Sequence, residues 1–502
     1  MNALLPPWIF RPAPRHPRWP AALLLVLLTA GTGLTPAQAH EPPPVRQVWH
    51  YRLLDDSVLV DDCHCGRPAI PYLLRGEFDL ALVGENPIET QYRIFNLDLR
   101  TDSDPVHWVR GEGEVRVGGE VALRQQWTLD TTATGERKAR FTNPEGQLTR
   151  LWPMIAVDLL EQDGPILSFY HLEIRAAPFH ELWFSTMAGM TSGVSEPPFA
   201  RYSGGDVLTS DGRLVRDSGS LLAAVGLEPG GALAPGLDAL DIVPGGELWF
   251  SLDAKASSKT LGTISPGDLL SDQGKIVRRG SELVRGLGFM PPAPDLGLDA
   301  LQVLEGGEIL FSTTEGAFSE SLGLIRHGDL LSDRGRIHAT QEQLLARFHP
   351  EEPGTDYGLD AVHVWPSGEI WFSVAEGFRD KELGYVLDGD LISDQGYVIS
   401  RNLNLVGRFS PLEDLADFGL DALFVVTDVT GPPEGALLTL ARGAGGELDL
   451  HWAGKGRVSR VESIDPSWSG SAPLSPILPG SSWVVPAESA AGPAAFLRLR
   501  QW

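Results

Sequence analysis

Between residues 236 and 428 the hydrophobic and polar positions repeat a phrase at fixed spacing. Each unit opens with Gly-Leu-Asp-Ala, at Gly236, Gly297, Gly358 and Gly419, three successive steps of 61 residues. In the unit that starts at Gly236, Leu240 and Ile242 share one face of a strand. Pro244-Gly245-Gly246 then reverses the chain, and Leu248 and Phe250 return on the partner strand. Trp249 falls on the opposite face, where a second layer has to cover it. Trp183, Leu310 and Trp371 hold the equivalent positions, and burying a large side chain of this kind is worth about 1.5–3 kcal/mol. Further on, Leu269 and Leu270 lead through Ser271-Asp272-Gln273-Gly274 to Ile276 and Val277, which predicts a second hairpin. Its Asp can accept backbone N–H bonds and its Gly tolerates positive φ. Ser332-Asp333-Arg334-Gly335 and Ser393-Asp394-Gln395-Gly396 match it, whereas the first copy reads Thr209-Ser210-Asp211-Gly212. Residues 341–348 and 402–409 fit a short helix or a further strand.

Counted from the front, Tyr170-His171-Leu172-Glu173-Ile174 aligns with an opening strand, although it lacks the Gly and Asp. At the back, Gly419 to Val426 is an opening strand with no unit behind it. A surplus strand of this kind can complete a sheet begun elsewhere, which removes the exposed edges of a ring. The expected fold is therefore all-β. Its centre is a β-propeller-like ring of four blades over residues 171–428, with five as the other count the pattern allows.

Before the ring, residues 40–170 alternate with period two. Phe78, Leu80 and Leu82 oppose Glu77 and Asp79, and Phe95, Leu97 and Leu99 repeat the pattern, so this region reads as a β-sandwich or barrel. Gly111-Glu112-Gly113 is not a nucleotide loop, because Val115 and Val117 continue as strand where a helix would have to begin. After a linker at 429–435, residues 436–502 carry short strands at sandwich spacing. That tail, with Leu450-His451-Trp452, is similar to fibronectin-III or immunoglobulin-type modules.

Composition narrows the setting. With 502 residues, 42% of them apolar, the chain is folded and exceeds one core, while 56 Gly and 39 Pro mark many tight turns. Residues 1–39 read as a secretory signal: Arg11, Arg15 and Arg18, the apolar run Ala21 to Leu28, and the small residues Ala37-Gln38-Ala39. The apolar run is too short to span a bilayer, and no later stretch reaches that length. The expected location is exported, periplasmic or extracellular, in a bacterium. The net charge of −26 includes the three leader arginines, so the mature chain carries about −29, which disfavours nucleic acid and anionic lipid as partners. Cys63 and Cys65, the two cysteines, flank His64 after Asp61-Asp62. A local disulfide, a thiol pair, or half of a metal site with Asp62 and His64 are the readings open. Export favours the disulfide or a structural role, and one CxC falls short of four structural zinc ligands.

Two sets of acids recur in register: Asp238, Asp299, Asp360 and Asp421 in the opening strands, and Asp206, Asp268, Asp329 and Asp390 after the later Gly. In a ring each set is expected to form a circle of carboxylates. The plain reading is that each Asp caps its own turn. The sharper one pairs Asp268 with Asp272, Asp329 with Asp333, and Asp390 with Asp394 as Ca²⁺ ligands; no other cofactor is expected. No nucleophile elbow, His-Glu-x-x-His or phosphate loop is present. His180-Glu181 begins like the metalloprotease motif, but Ser185 follows where a second His is needed. His327, His338, His349 and His363 fall at non-equivalent positions.

The phrases Gly-Leu-Asp-Ala, Gly-Glu-[Ile/Leu]-Trp-Phe-Ser and Gly-Asp-Leu-[Leu/Ile]-Ser-Asp, together with Asp61-Asp62-Cys63 and Cys65-Gly66-Arg67-Pro68, resemble uncharacterised exported bacterial repeat proteins. The resemblance implies kinship and no activity. The expected function is a non-enzymatic binding or scaffold protein for a protein or carbohydrate ligand. The alternative is a propeller-type polysaccharide hydrolase or lyase, which would gather a His, an Arg and acids in one pocket at one end of the ring.

Overall fold

The computed structural model describes residues 48–427, apart from 87, 120–123, 144, 149–152, 163, 195–197, 229–234 and 244–245, and, in the C-terminal region, the strands. Residues 1–39, expected to be a leader, and 429–435, expected to be a linker, lie outside the described residues. Within a repeat, the turn residues produce the hairpins expected of them. Leu237–Ile242 pairs antiparallel with Leu248–Leu252, setting Leu240 opposite Phe250 and Ile242 opposite Leu248. Leu248–Leu252 pairs in turn with Leu269–Ser271, which pairs with Lys275–Arg278. Gly274, Gly335 and Gly396 hold the second turn at φ of 76°, 78° and 86°, a backbone that a Cβ would strain. The next two units repeat the four-stranded sheet, from Leu301–Val303 and from Val362–Val364.

Two further pieces make the unit longer than a bare blade. One is a two-stranded hairpin, Ala256–Ser258 with Gly262–Ile264, repeated at Ala317–Ser319 with Gly323–Ile325 and at Phe378–Asp380 with Gly384–Val386. The other is a short helix, at Gly280–Leu283, Gln341–Leu344 and Asn402–Val406. The segments whose pattern fitted helix or strand therefore begin as helix. The second aspartate of each repeat explains why: Asp329 Oδ1 accepts the Gln341 N–H at 3.0 Å, and Asp390 Oδ1 accepts the Asn402 N–H at 2.9 Å, at the helix starts.

The remaining sheet contains Phe179–Ser185, Val207–Thr209 and Leu214–Arg216, completed by Ala422–Thr427 from the end of the ring. Their pairing sets Leu182 against Val425 and Phe184 against Leu423. Opening strands approach one another in cyclic order: 237–242 beside 301–303, 301–303 beside 362–364, 362–364 beside 422–427, and 422–427 beside 237–242. The chain thus forms a four-bladed β-propeller sealed by its surplus strand. The apolar cores lie between blades. Leu240 and Phe250 pack with Val207 and Ala422, Leu269 with Leu301 and Phe311, Leu330 with Val362 and Phe372, and Leu391 and Trp371 with Phe184 and Leu423. Trp183, Leu310 and Trp371 are fully buried there, and Trp249 is half-buried.

Ahead of the ring, ten strands from Val48–Leu53 to Phe169–Ala177 form one antiparallel sheet. It closes on itself: Phe169–Ala177 pairs with Ile155–Gln162 on one side and Val58–Asp62 on the other, and Val58–Asp62 leads back to Ile70–Glu85. The choice between sandwich and barrel resolves to a barrel. Tyr51, Phe78, Leu129 and Phe141 fill it with no measurable exposure, and Trp127 shows 1%. Tyr170 to Ile174, aligned by sequence with an opening strand of the ring, belongs to this barrel instead. Alternating Tyr170, Leu172 and Ile174 suit the inner face of any closed sheet, so the alternation alone does not assign them. Cys63 and Cys65 are joined by a disulfide. In the C-terminal region the strands form two three-stranded antiparallel sheets.

Candidate functional site

The first aspartate of each repeat is placed by backbone geometry. Gly297, Gly358 and Gly419 all sit at φ 71°, and a Cβ on Gly297 would lie 2.1 Å from Thr314 Oγ1. The following Leu gives its carbonyl to a serine hydroxyl of the preceding blade: Ser251 to Leu298 at 2.9 Å, Ser312 to Leu359 at 2.7 Å and Ser373 to Leu420 at 3.2 Å. Next, the N–H of Asp299, Asp360 and Asp421 donates to Ser312, Ser373 and Ser185 of the same blade, each at 3.3 Å. A second clamp comes from Asp295, Asp356 and Asp417, whose carboxylates accept the N–H of Gly267, Gly328 and Gly389 in the preceding blade. These three residues also recur every 61 positions, two before the opening Gly, so the signal for them was present in the sequence.

Asp299, Asp360 and Asp421, fixed in this way just ahead of their innermost strands, and Asp238, within Leu237–Ile242, act on one another electrostatically. Burial, and then the neighbouring carboxylates, push Asp360 up to about 10, Asp238 to about 8 and Asp421 to about 7. Asp360 is 6% exposed and its carboxyl group is hydrogen-bonded to that of Asp299, while Asp238 Oδ2 is shielded from solvent without a hydrogen-bond partner. His327 breaks the four-fold repetition. It occupies the place of Pro266 and Asp388 one repeat away, and its Nε2 lies 2.7 Å from Asp299 Oδ2, a bond that raises the imidazole pKa. Asp253, where the next repeats have Thr314 and Ala375, adds further negative charge toward Asp238 and Asp421.

The second aspartate set stays local. Asp268 accepts the N–H of Ser265 and of Gly280, both at 3.0 Å, and pairs with Arg279 at 2.7 Å. Asp329 and Asp390 repeat the two backbone bonds, and Asp390 also pairs with Arg401 at 2.6 Å. Asp333 Oδ1 and Asp394 Oδ1 accept the N–H of Ile309 and Ile370 at 3.1 Å, and Asp272 bonds Gln273. The structure does not bring Asp268 to Asp272, Asp329 to Asp333, or Asp390 to Asp394. A three-residue strand separates each pair, roughly 13 Å over four residue steps. Among the described residues, no three His, Cys, Asp or Glu side chains converge closely enough to hold a metal ion directly. The other histidines take separate places. His363 packs against Trp365 and Trp371, His338 sits where burial lowers its pKa, and His349 lies 3.8 Å from Glu382. Glu181 is fully buried, accepting Trp183 Nε1 at 2.8 Å and pairing with Arg213, so His180-Glu181 belongs to the packing of its blade.

Space lies elsewhere. A cleft of about 700 Å³ opens between barrel and propeller, and a second of about 910 Å³ lies on the barrel. At the first, Asp55 of the barrel accepts Arg75 at 2.7 Å, the Arg401 N–H at 2.6 Å and Asn404 Nδ2 at 2.7 Å. Asp56 accepts the Val398 N–H at 3.0 Å, so the barrel covers the outer strand of that blade. Arg52 pairs with Asp211 across the cleft. Arg100 and Arg408 also line it, and no described carboxylate pairs with either. This basic pair was not read from the sequence, where the two residues stand 308 positions apart without any motif.

No family model and no curated protein matches the chain. Among solved structures, the chain is similar to the extracellular domain of a hybrid two-component system from B. thetaiotaomicron. The identity is 7% and the TM-score 0.23, over 82% of this chain and 74% of that one, a likeness too weak to carry any argument. Among the described residues no helix is long and apolar enough to cross a membrane.

Proposed function

We propose that the chain is an exported, non-enzymatic binding or scaffold protein whose ligand surface is the cleft between barrel and propeller. What supports this reading is a separation. The His327–Asp299 pair and the axial carboxylates with raised pKa values line neither large cleft, and the acids that do line the first, Asp55 and Asp211 among them, are engaged by Arg75 and Arg52. A polysaccharide hydrolase or lyase needs acid, base and substrate within hydrogen-bond reach of one another. In the cleft, Arg52 and Arg75 are held by acids, while Arg100 and Arg408 are left to meet a ligand. The guanidinium fork suits a carboxylate, as on an acidic saccharide. Export rests on the leader-like residues 1–39 and agrees with the disulfide between Cys63 and Cys65.

Calorimetric titration of the full chain with uronic-acid oligosaccharides tests the proposal. Binding is expected, and Arg100→Ala with Arg408→Ala should weaken it by about tenfold or more, the worth of one charge-assisted bond. New reducing ends or unsaturated sugars that vanish in Asp299→Asn would instead identify an enzyme. Absence of both binding and product would remove the cleft as the ligand surface.

A further inference from the structure

Where the barrel meets the propeller, one imidazole faces two carboxylates. His50, half-buried on the strand Val48–Leu53, has Nδ1 2.9 Å from Asp79 Oδ1 and Nε2 3.4 Å from Glu77 Oε2. A neutral imidazole carries a single N–H, so both contacts attract only when the ring is an imidazolium. Burial works against that charge, but the bonds to the two acids outweigh it and hold His50 above the ordinary histidine pKa. The same contact is the chief cause that pulls Glu77 down to about 2. The His50 ring also stacks on His180 of the propeller strand Phe179–Ser185, with centroids 5.2 Å apart and planes 7° from parallel. The charged and titratable groups around it are thus Arg52 on its own strand, Glu77 and Asp79 on the neighbouring strand Ile70–Glu85, and His180 across the junction. Asn96 holds the other oxygen of Asp79 at 2.8 Å, whereas Glu77 reaches the cleft wall. Opposite Glu77 in the strand register stands Arg52, whose Nε is shielded from solvent without a hydrogen-bond partner.

We propose that His50 is a pH-dependent switch on the cleft, an inference that rests on the cleft being the ligand surface. Protonated, His50 masks the Glu77 carboxylate and leaves Arg100 and Arg408 to attract an acidic ligand. On losing its proton the ring keeps one N–H, which stays with Asp79, the closer carboxylate. Glu77 then turns to the vacant Arg52 Nε. Arg52, already paired with Asp211, becomes shared between two acids, so the wall has gained one net negative charge that opposes a ligand carboxylate. Affinity for acidic saccharides accordingly falls as pH rises through the folded-state value of His50. By linkage, a bound carboxylate makes His50 hold its proton more tightly. The same proton couples to folding: the His50 contribution is fully present below the unfolded value of about 6.5 and is lost as pH rises through the raised folded one.

Two readouts on the full chain keep the switch and the ligand surface apart. With histidine and arginine isotope labelling and no ligand, the NMR signal assigned by His50→Gln should titrate above about 6.5, and the Arg52 Nε–H signal should shift with the same midpoint. In Glu77→Gln the His50 midpoint should fall and the Arg52 shift should disappear. Calorimetry with uronic-acid oligosaccharides should show affinity dropping about threefold or more between pH 6 and pH 9, the worth of one partly exposed charge contact. The variants should bracket wild type, with His50→Gln weak and Glu77→Gln tight at both pH values. Glu77 is exposed, so Glu77→Gln keeps the test intact if His50→Gln fails to fold. A His50 midpoint at or below about 6.5, an Arg52 signal that ignores it, or an equal pH slope in wild type and Glu77→Gln overturns the switch. Binding at no pH removes the ligand surface instead and leaves the NMR readout to decide the switch.

Discussion

Both β systems close on themselves, yet the barrel fills its middle with Tyr51, Phe78, Trp127 and Phe141, while the propeller turns four aspartates toward its own. The cause is where each places its apolar layer. A barrel wall is one hydrogen-bonded ladder with a single inside, so every inward side chain has to serve the core. A propeller buries its apolar surface between neighbouring blades, in four separate layers. Its axis is surplus to the core and can carry charge. The serine hydroxyls and the Asp295, Asp356 and Asp417 clamps keep the innermost strands in place in spite of that charge.

Removing a ring from the barrel should have the largest effect on this contrast. Phe78→Ala is expected to cost about 3–5 kcal/mol in denaturant melts, because the closed wall cannot collapse into the cavity; a loss under 1 kcal/mol would mean the barrel interior is loose. At the axis the sign reverses. At pH 8, Asp360→Asn should stabilise the chain by about 1–4 kcal/mol, because a neutral amide replaces a crowded acid.

The pH dependence follows from the same groups. Asp238, Asp360 and Asp421 have folded pKa values raised to about 8, 10 and 7, so the folded chain holds protons that the unfolded chain releases near pH 4. Their contribution to stability is fully present below about pH 4 and is lost as pH rises through the folded values. Melts at pH 5 and pH 9 should therefore differ more in wild type than in Asp360→Asn. Equal pH slopes would refute the mutual repulsion. The smallest effect lies in the clamps: Ser312→Ala leaves the Leu359 carbonyl short of a buried donor and should cost about 1 kcal/mol.

Much of the ring was legible because it is written in local chemistry. A Ser-Asp-x-Gly turn needs its Gly at positive φ and its Asp near free N–H groups, and both conditions are met within a few residues. The 61-residue step exposed the blades and the surplus strand 422–427. The assignment of Tyr170 to Ile174 failed because alternation reports an inner face without naming the sheet that owns it. The same limit left open whether residues 40–170 were a sandwich or a barrel, since closure depends on Phe169–Ala177 meeting strands about a hundred positions earlier.

By itself, then, the sequence determined the repeat, its hairpins, the four-fold recurrence of both aspartate sets and the strand that seals the ring. All of these depend on contacts between residues near in the chain or related by a constant step. Tertiary structure alone decided that one aspartate set crowds the axis while the other caps turns and helix starts. It also decided that His327 meets Asp299 and that Arg100 and Arg408 share a cleft. Those outcomes depend on which backbones approach in space, and burial and charge act over distances that a linear spacing does not encode.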